Sequence, residues 1–330
     1  MTLELSIAMI NDDGGLDKMQ LLLEQMHSHL ERNGYRVRTV STMRIIELQE
    51  EIDRIHSQGL FNEELYRSEL AFFEFKTPAS LPDAKTLIIV AMPQPLLKVT
   101  FNFHGKPRQV LLPPTYKYSE DKKVQNILSE ILGVHGYSVV QPQLPSLAGG
   151  KLPMKSMAVH SGLGRYGKNN ICYVPGMGSF HRLTMFYTDC EFPEDDWHGF
   201  QLMQRCAECQ ICLRSCPTGA ISGDRFLAHA ERCITFYNEQ PYSEFPAWIK
   251  KSWHNSIIGC VRCQKVCPEN AQFMKQLVDA ESFSEEETTL ILKATPEDRL
   301  PIETFKKLEW LDLKGRMDIL PRNLKVVLTS

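Results

Sequence analysis

The sequence predicts an α+β or α/β first domain, with helices on a mixed sheet, followed by a small cysteine-rich module. Three observations predict it. Segments of helical and strand period alternate through the first half of the chain. Residues 86–92, TLIIVAM, make an apolar run of strand length. Eight of the ten cysteines fall between Cys206 and Cys267.

In chain order, 16–33 carries apolar residues at helical spacing and stops at Gly34, a C-terminal helix glycine. YRVRTV (35–40) alternates like a strand, and 42–58 reads as a second helix. TLIIVAMP (86–93) reads as a buried strand, and 98–112 as a hairpin about His104-Gly105-Lys106. Residues 119–134 read as a helix, and YSVVQ (137–141) as a strand. Glycine and proline make 142–185 mostly loop, and RLTMFYTD (182–189) returns to a strand. The expected division is a cofactor and substrate domain over 1–200, the cysteine module over 201–275 and a charged, helical, wrap-around extension over 276–330.

Composition narrows the function. The chain has 330 residues, 43% hydrophobic and 23% charged, as in ordinary globular proteins. A formal net charge of −3 is a poor footprint for phosphate binding, so a tRNA partner is not expected. MTLELSIAMINDDGG lacks the cationic start and cleavage site of a secretory signal, and no apolar run reaches membrane-spanning length. The expected compartment is the cytoplasm, where thiols stay reduced and clustered cysteines point to metal.

The first cysteine run is Cys206-Ala-Glu-Cys209-Gln-Ile-Cys212-Leu-Arg-Ser-Cys216-Pro217. This C-x2-C-x2-C-x3-C-P spacing is the bacterial ferredoxin pattern, whose fourth cysteine serves the other cluster. The second run, Cys260-Val-Arg-Cys263-Gln-Lys-Val-Cys267-Pro268, repeats its last three cysteines; Ile257 stands where the first would be. Cys233 is the unassigned cysteine nearby. Crossing the fourth ligands gives two [4Fe–4S] clusters: Cys206, Cys209, Cys212 and Cys267 hold one, and Cys216, Cys233, Cys260 and Cys263 the other. Two zinc sites would use C-x2-C pairs but leave the full run unexplained. Cys172 and Cys190 read as small buried hydrophobes, Cys190 with more exposure because it lies in an acidic segment.

Residues 160–182, HSGLGRYGKNNICYVPGMGSFHR, contain the G-x-G-x-x-G of Gly162, Gly164 and Gly167. A dinucleotide site would need a strand before it and a helix after it; LPMKSMAVH reads as helix, and Val174-Pro175-Gly176 breaks any helix beyond it. From Lys151 to Thr188 there is no Asp or Glu, while Lys151, Lys155, Arg165, Lys168 and Arg182 are present. Two readings stand side by side: a loop with solvated charges packed on the module, or an anion-favouring site for a phosphate-bearing cofactor or substrate.

SMAVHSGLGRYGKNN (156–170), GMGSF (176–180), a strand ending in Thr188-Asp189, the first cysteine run, CPTGAI (216–221), ERCITF (231–236) and IIGCVRCQKVCPEN (257–270) together resemble epoxyqueuosine reductase. The glycine segment is also similar to the core of the reductive dehalogenases. The resemblance covers 86–275, more than half the chain. It implies a cobalamin-reductase-like first domain, a bacterial-ferredoxin-like double-cluster module and cobalamin bound near Gly162, Gly164, Arg165, Gly167, Lys168, Asn169, Gly178 and Ser179. It agrees with the crossed ligand assignment.

The chain also departs from the family. The family's upstream acid, in V-D-x-x-P, has no counterpart in LPSLAGGKLPMKSM (144–157), and its R-D-Y-H-type segment is replaced by Lys117-Tyr118-Ser119-Glu120-Asp121-Lys122. The helical-repeat extension with which some members hold tRNA is not recognisable. The chain therefore looks like a paralogue, and Tyr166, Lys168, His160 and His181 are the candidate proton donors, Tyr166 and Lys168 foremost. The expected function is a reductase that takes single electrons from a low-potential donor such as a ferredoxin or flavodoxin. They would pass through two clusters to cobalamin, and from there to an unknown substrate. The alternative is an electron-transfer or activator protein serving a partner protein, without cobalamin chemistry of its own.

Overall fold

A computed structural model of the chain describes residues 13–142, 152–241 and 244–330. The order is α1 (Asp13–Arg32), β1 (Arg36–Ser41), α2 (Arg44–Ser57) and α3 (Glu63–Leu65), which runs into a π-helix (Tyr66–Leu70). Then come β2 (Thr86–Pro93), β3 (Leu97–Phe103), β4 (Lys106–Leu112), α4 (Ser119–Gly133), β5 (Val139–Val140), α5 (Met154–His160), β6 (Arg165–Tyr166), β7 (Cys172–Tyr173) and β8 (His181–Thr188). The second half holds α6 (Ile211–Ser215), α7 (Ile234–Glu239), α8 (Arg262–Lys265), β9 (Val278–Phe283), α9 (Glu285–Leu292), α10 (Ile302–Trp310) and α11 (Leu320–Leu328). Helices and strands thus fall where the sequence predicts them. The fold is mixed α and β, with β1-β2-β8-β5 as an antiparallel central sheet.

The alternation of β2 explains that sheet. Leu87, Ile89 and Ala91 enter one core with Val40, Leu48, Met157 and Met185. Ile88, Val90 and Met92 enter the opposite core with Leu30, Val37, Leu128 and Phe186. Successive side chains point to opposite faces, so a strand buried on both sides reads as one continuous apolar run. α1 and α4 cover one face, while α2, α5 and the glycine segment cover the other. Gly34, at φ +79°, lets the chain turn out of α1 into β1.

The hairpin β3–β4 leaves this sheet and pairs in parallel with β9 from the tail. Phe101 and Phe283 stack at 4.8 Å across that junction. Val99, Leu112, Ile257, Ile258, Leu308, Leu324 and Leu328 share one core there. The tail therefore shares a strand and a core with the hairpin, beyond the extension expected of it. Ile257 is fully buried in this core, and its backbone N–H donates to the Leu111 carbonyl at 2.9 Å. The 117–122 segment holds the tail as well: Lys117 lies 3.1 Å from Asp312, and the Arg316 guanidinium lies over the Tyr118 ring.

A buried ion pair ties α4 to β8. Arg182 donates through Nε to Asp121 Oδ1 at 3.0 Å and through Nη2 to Asp121 Oδ2 at 2.7 Å. Its Nη1 donates to the Thr115 carbonyl, and Gln141 donates to Asp121. Removing one partner strands a buried charge, which costs about 3–5 kcal/mol. Asp121→Ala is therefore expected to lower the thermal unfolding midpoint sharply, read by circular dichroism. A midpoint within a degree or two of the parent would show that the pair carries no such weight.

Candidate functional site: the cysteine module and the cavity beside it

Between residues 204 and 275 the described residues contain only short helices, none longer than the six residues of α7. The eight cysteines sit half-buried on these helices and on the loops between them. Burial pushes the thiols of Cys212 and Cys233 up to about 11, and raises those of Cys206, Cys260 and Cys263. After burial, the cysteines raise one another in two groups. Cys206 responds to Cys267 and Cys209, and Cys212 to Cys206, Cys209 and Cys267. Cys233 responds to Cys260 and Cys216, Cys260 to Cys216, and Cys263 to Cys260 and Cys233, with Cys212 as the weakest neighbour across the divide.

The glycine segment packs against this module. The two-residue strand β6 sends Arg165 and Tyr166 to opposite sides. Arg165, with Gly162, Gly164 and Gly178, lines one cavity of about 530 Å³, together with Tyr173, Glu269 and Phe273. Tyr166 lines another of about 580 Å³, walled by Ile52, Phe61, Phe73, Phe200 and Phe226, with Lys155, Arg54, Arg225 and Glu51 as its charges. Tyr166 is buried, and its hydroxyl lies 3.0 Å from Ser156 Oγ. That burial raises the phenol far above its ordinary value and makes it a weak acid.

The close approach that the glycines permit is to the chain itself. A Cβ at Gly164 would lie 2.6 Å from Cys172 Sγ, and one at Gly167 2.7 Å from the Tyr173 ring. At Gly178, φ +57°, it would collide with Asn270 and Phe273. Ser179 Oγ donates to Gln264 Oε1 at 2.9 Å, and its N–H donates to Asn270 Oδ1. These residues join the glycine segment to the module.

The cations do not form one anion-favouring surface. Arg182 is neutralised by Asp121, and Lys168 Nζ donates to the carbonyls of Ala207 and Cys209 at 2.9 and 3.2 Å. Lys168 thus holds the first cysteine loop and does not line the Tyr166 cavity. Lys151, and residues 144–151 of the segment without acids, lie outside the described residues. Of the two histidines, His181 is buried and pushed down to about 4 by desolvation, so it stays neutral. Desolvation also opposes charge on His160, but its hydrogen bonds to Glu51 Oε2 (2.7 Å) and the His198 carbonyl leave it raised. Cys190 is fully buried, as a small hydrophobe should be, although its neighbours are acidic; its Sγ lies 3.7 Å from Met19 Sδ.

Sequence reasoning missed the hydrogen-bond donors around the cysteines. Tyr173 bonds to Cys267, Asn169 to Cys263, and Asn255 to Cys260 at 3.1 Å. Asn169 also donates to the Tyr173 hydroxyl at 2.9 Å. Asn169 and Tyr173 thereby connect the two cysteine groups from the glycine segment. Sequence spacing holds no signal for this.

The comparisons agree with this geometry. Residues 205–270 match the 4Fe-4S double cluster binding domain, which spans all eight cysteines. Epoxyqueuosine reductase of Staphylococcus aureus is 26% identical over 227 residues, 68% of this chain and 58% of that protein. The structure of epoxyqueuosine reductase from Streptococcus thermophilus covers 94% of this chain and 80% of its own, at 19% identity and a TM-score of 0.61. The chain is similar to epoxyqueuosine reductases in part of its sequence and in its fold. An epoxyqueuosine reductase solved with an epoxyqueuosine-modified tRNA-Tyr stem loop aligns at TM-score 0.65 and 19% identity, over 94% of this chain and 81% of that one. Reductive dehalogenases align at a TM-score of 0.39 over 32% of their length, too slight a likeness to argue from. The chain spans about half the length of the curated relatives it matches, 58% and 40% of the first two. Among the described residues no helix is long and apolar enough to cross a membrane.

A donor to a cluster sulfur stabilises the more negative, reduced state and raises the reduction potential. Tyr173→Phe and Asn169→Leu each remove one bond to a sulfur, worth about 0.5–1.5 kcal/mol or roughly 20–60 mV for one electron, together with the bond between the two side chains. Each is expected to lower one midpoint in an EPR-monitored redox titration. An unchanged or higher midpoint would show that neither group tunes the sulfurs.

Proposed function

We propose that the chain is a reductase that moves single electrons through two [4Fe–4S] clusters to a cobalamin, and from it to a substrate that remains to be identified. The double-cluster match over residues 205–270 carries the reading. The crossed assignment is proposed with it: Cys206, Cys209, Cys212 and Cys267 for one cluster, Cys216, Cys233, Cys260 and Cys263 for the other. Its support is the grouping of the thiols by mutual charge, which follows the same division. The donor set is thiol alone and suits iron–sulfur ligation. Among the described residues no three Cys, His, Asp or Glu side chains are gathered as for a single metal ion.

The residues beside the module also fit a large cofactor with apolar faces. The 580 Å³ cavity is walled by aromatic and aliphatic side chains, with Lys155, Glu51 and Arg54 to orient polar groups. Cobalamin bound there would supply cobalt-centred reduction. Lys155, Tyr166, Phe200 and Phe226 are proposed to hold it. Gly162, Gly164, Arg165 and Gly178 face the other cavity. Gly167, Lys168, Asn169 and Ser179 are proposed to act indirectly, by fixing the segment on the module. The proposed donor is a low-potential carrier such as a ferredoxin or flavodoxin, in the cytoplasm. The stem-loop complex of a structural relative makes a tRNA substrate one outcome to be tested, against the expectation from net charge.

The experiment is purification without air followed by metal analysis and cob(II)alamin titration. About eight irons and eight sulfides per chain, with no zinc, are expected for two cubanes. Cob(II)alamin is expected to change its absorption spectrum and to comigrate with the protein. Full iron with no cobalamin association would leave a carrier that serves a partner protein. About four irons would overturn the crossed assignment.

A further inference from the structure

The two cysteine groups differ in what stands beside them. Ile234, Ile258 and Val261 lie within two positions of Cys233 or Cys260, and are 2%, 0% and 0% exposed. Ile211 and Val266 lie next to Cys212 and Cys267 of the other group, and are 42% and 40% exposed. Aliphatic side chains of one kind are thus sealed in the core beside one group and left on the surface beside the other. Ile211 opens α6, Val266 follows α8, and these two helices pack on each other. The thiols of Cys206, Cys209, Cys212 and Cys267 therefore lie under a surface that carries two exposed aliphatics.

Cations accompany them. Residues 204–215 and 262–275 hold five lysines and arginines against two acids, in a chain whose formal charge is −3. Arg214 stands three positions after Ile211 on α6, so the two are neighbours on the helix surface, and Lys265 precedes Val266. Arg214, Lys265 and Lys275 are exposed, and none meets a carboxylate among the described residues. Of the two acids, Glu269 is paired with Arg205 at 2.9 Å and Glu208 is exposed. The Arg205–Glu269 pair also joins the first cysteine run to the second. Arg165 is exposed on the adjoining 530 Å³ cavity, which Glu269 and Tyr173 line with it.

We propose that this face docks a small acidic protein that carries one electron at low potential. The proposal rests on the two-cluster reading and names the place where its electrons enter. Encounters of this kind bury little surface, under about 1,200 Å², so two aliphatics among cations are sufficient. The cations steer an acidic carrier in, and the aliphatics let it close on the thiols. The carrier gives up one electron and the site of the four thiols gains it; no bond forms or breaks and no proton moves. The group of Cys216, Cys233, Cys260 and Cys263 has no such face, because the aliphatics beside it are in the core. A nucleic acid backbone would use the cations but not Ile211 and Val266.

The test uses the full chain with iron and sulfide reconstituted without air. The probes are an acidic bacterial ferredoxin and an acidic flavodoxin. Carbodiimide cross-linking joins lysines to the carboxylates of a docked carrier. Links from at least one probe to Lys265 or Lys275 are expected at low salt and should vanish at high salt. In stopped flow, the second-order rate of reduction by the reduced probe is expected to fall about tenfold when Arg214→Glu and Lys265→Glu are combined, and about as much at high salt in the parent. Val266→Ser is expected to lower the rate severalfold and leave its salt dependence in place. Equal EPR amplitudes after dithionite reduction show that parent and variants carry the same clusters. A parent that captures neither probe, links confined to other lysines, or an unchanged rate in the combined variant overturns the proposal. So does a tRNA stem loop that binds the parent and not the combined variant while neither probe links to this face. Should the variants fail to fold, the cross-links and salt dependence of the parent decide. Iron content reports separately on the two-cluster reading, since cross-linking needs no electron.

Discussion

The candidate site depends on eight thiols held half-buried in a module that has little secondary structure of its own. Its helices are four to six residues long, too short to persist without tertiary support. Burial raises five of those thiols, so the protein alone does not favour the charged form that iron requires. Cluster assembly in such a site releases protons and contributes folding energy at the same time. On the crossed assignment, Cys267 would close back on the first loop, and Cys216 would reach forward to Cys233 and Cys260. Each cluster would then staple distant stretches of chain.

The glycine segment is the part of the first half that packs on this module. Its glycines allow backbone to meet backbone and cysteine at distances a side chain would forbid. That contact delivers Asn169 and Tyr173 to the sulfurs on one side and Tyr166 to the cavity on the other. Lys168 completes the arrangement by holding the carbonyls of the first cysteine loop. The tail, through β9 and the core around Ile257, fixes the module's far side against the hairpin.

The local elements were legible because each depends on nearby residues. β2 reads as an apolar run because both its faces are covered, and α1 stops at Gly34 because a left-handed turn suits glycine. The two cysteine runs were legible from spacing. What sequence hid was long-range pairing. Arg182 looked like a free cation, but its partner Asp121 lies 61 positions earlier. β9 looked like part of a charged tail, because only pairing with β3, far earlier in the chain, makes it a strand.

On the crossed assignment Cys233 is decisive, because Ile257 is committed to the hydrophobic core and a remote cysteine would complete the second set. The most direct measurement is iron content and Mössbauer spectroscopy of Cys233→Ser prepared without air. The account predicts that iron falls from about eight toward about four per chain, or that one cubane becomes a three-iron cluster, while the cluster of Cys206, Cys209, Cys212 and Cys267 persists. Two intact four-iron clusters with unchanged spectra in Cys233→Ser would contradict it.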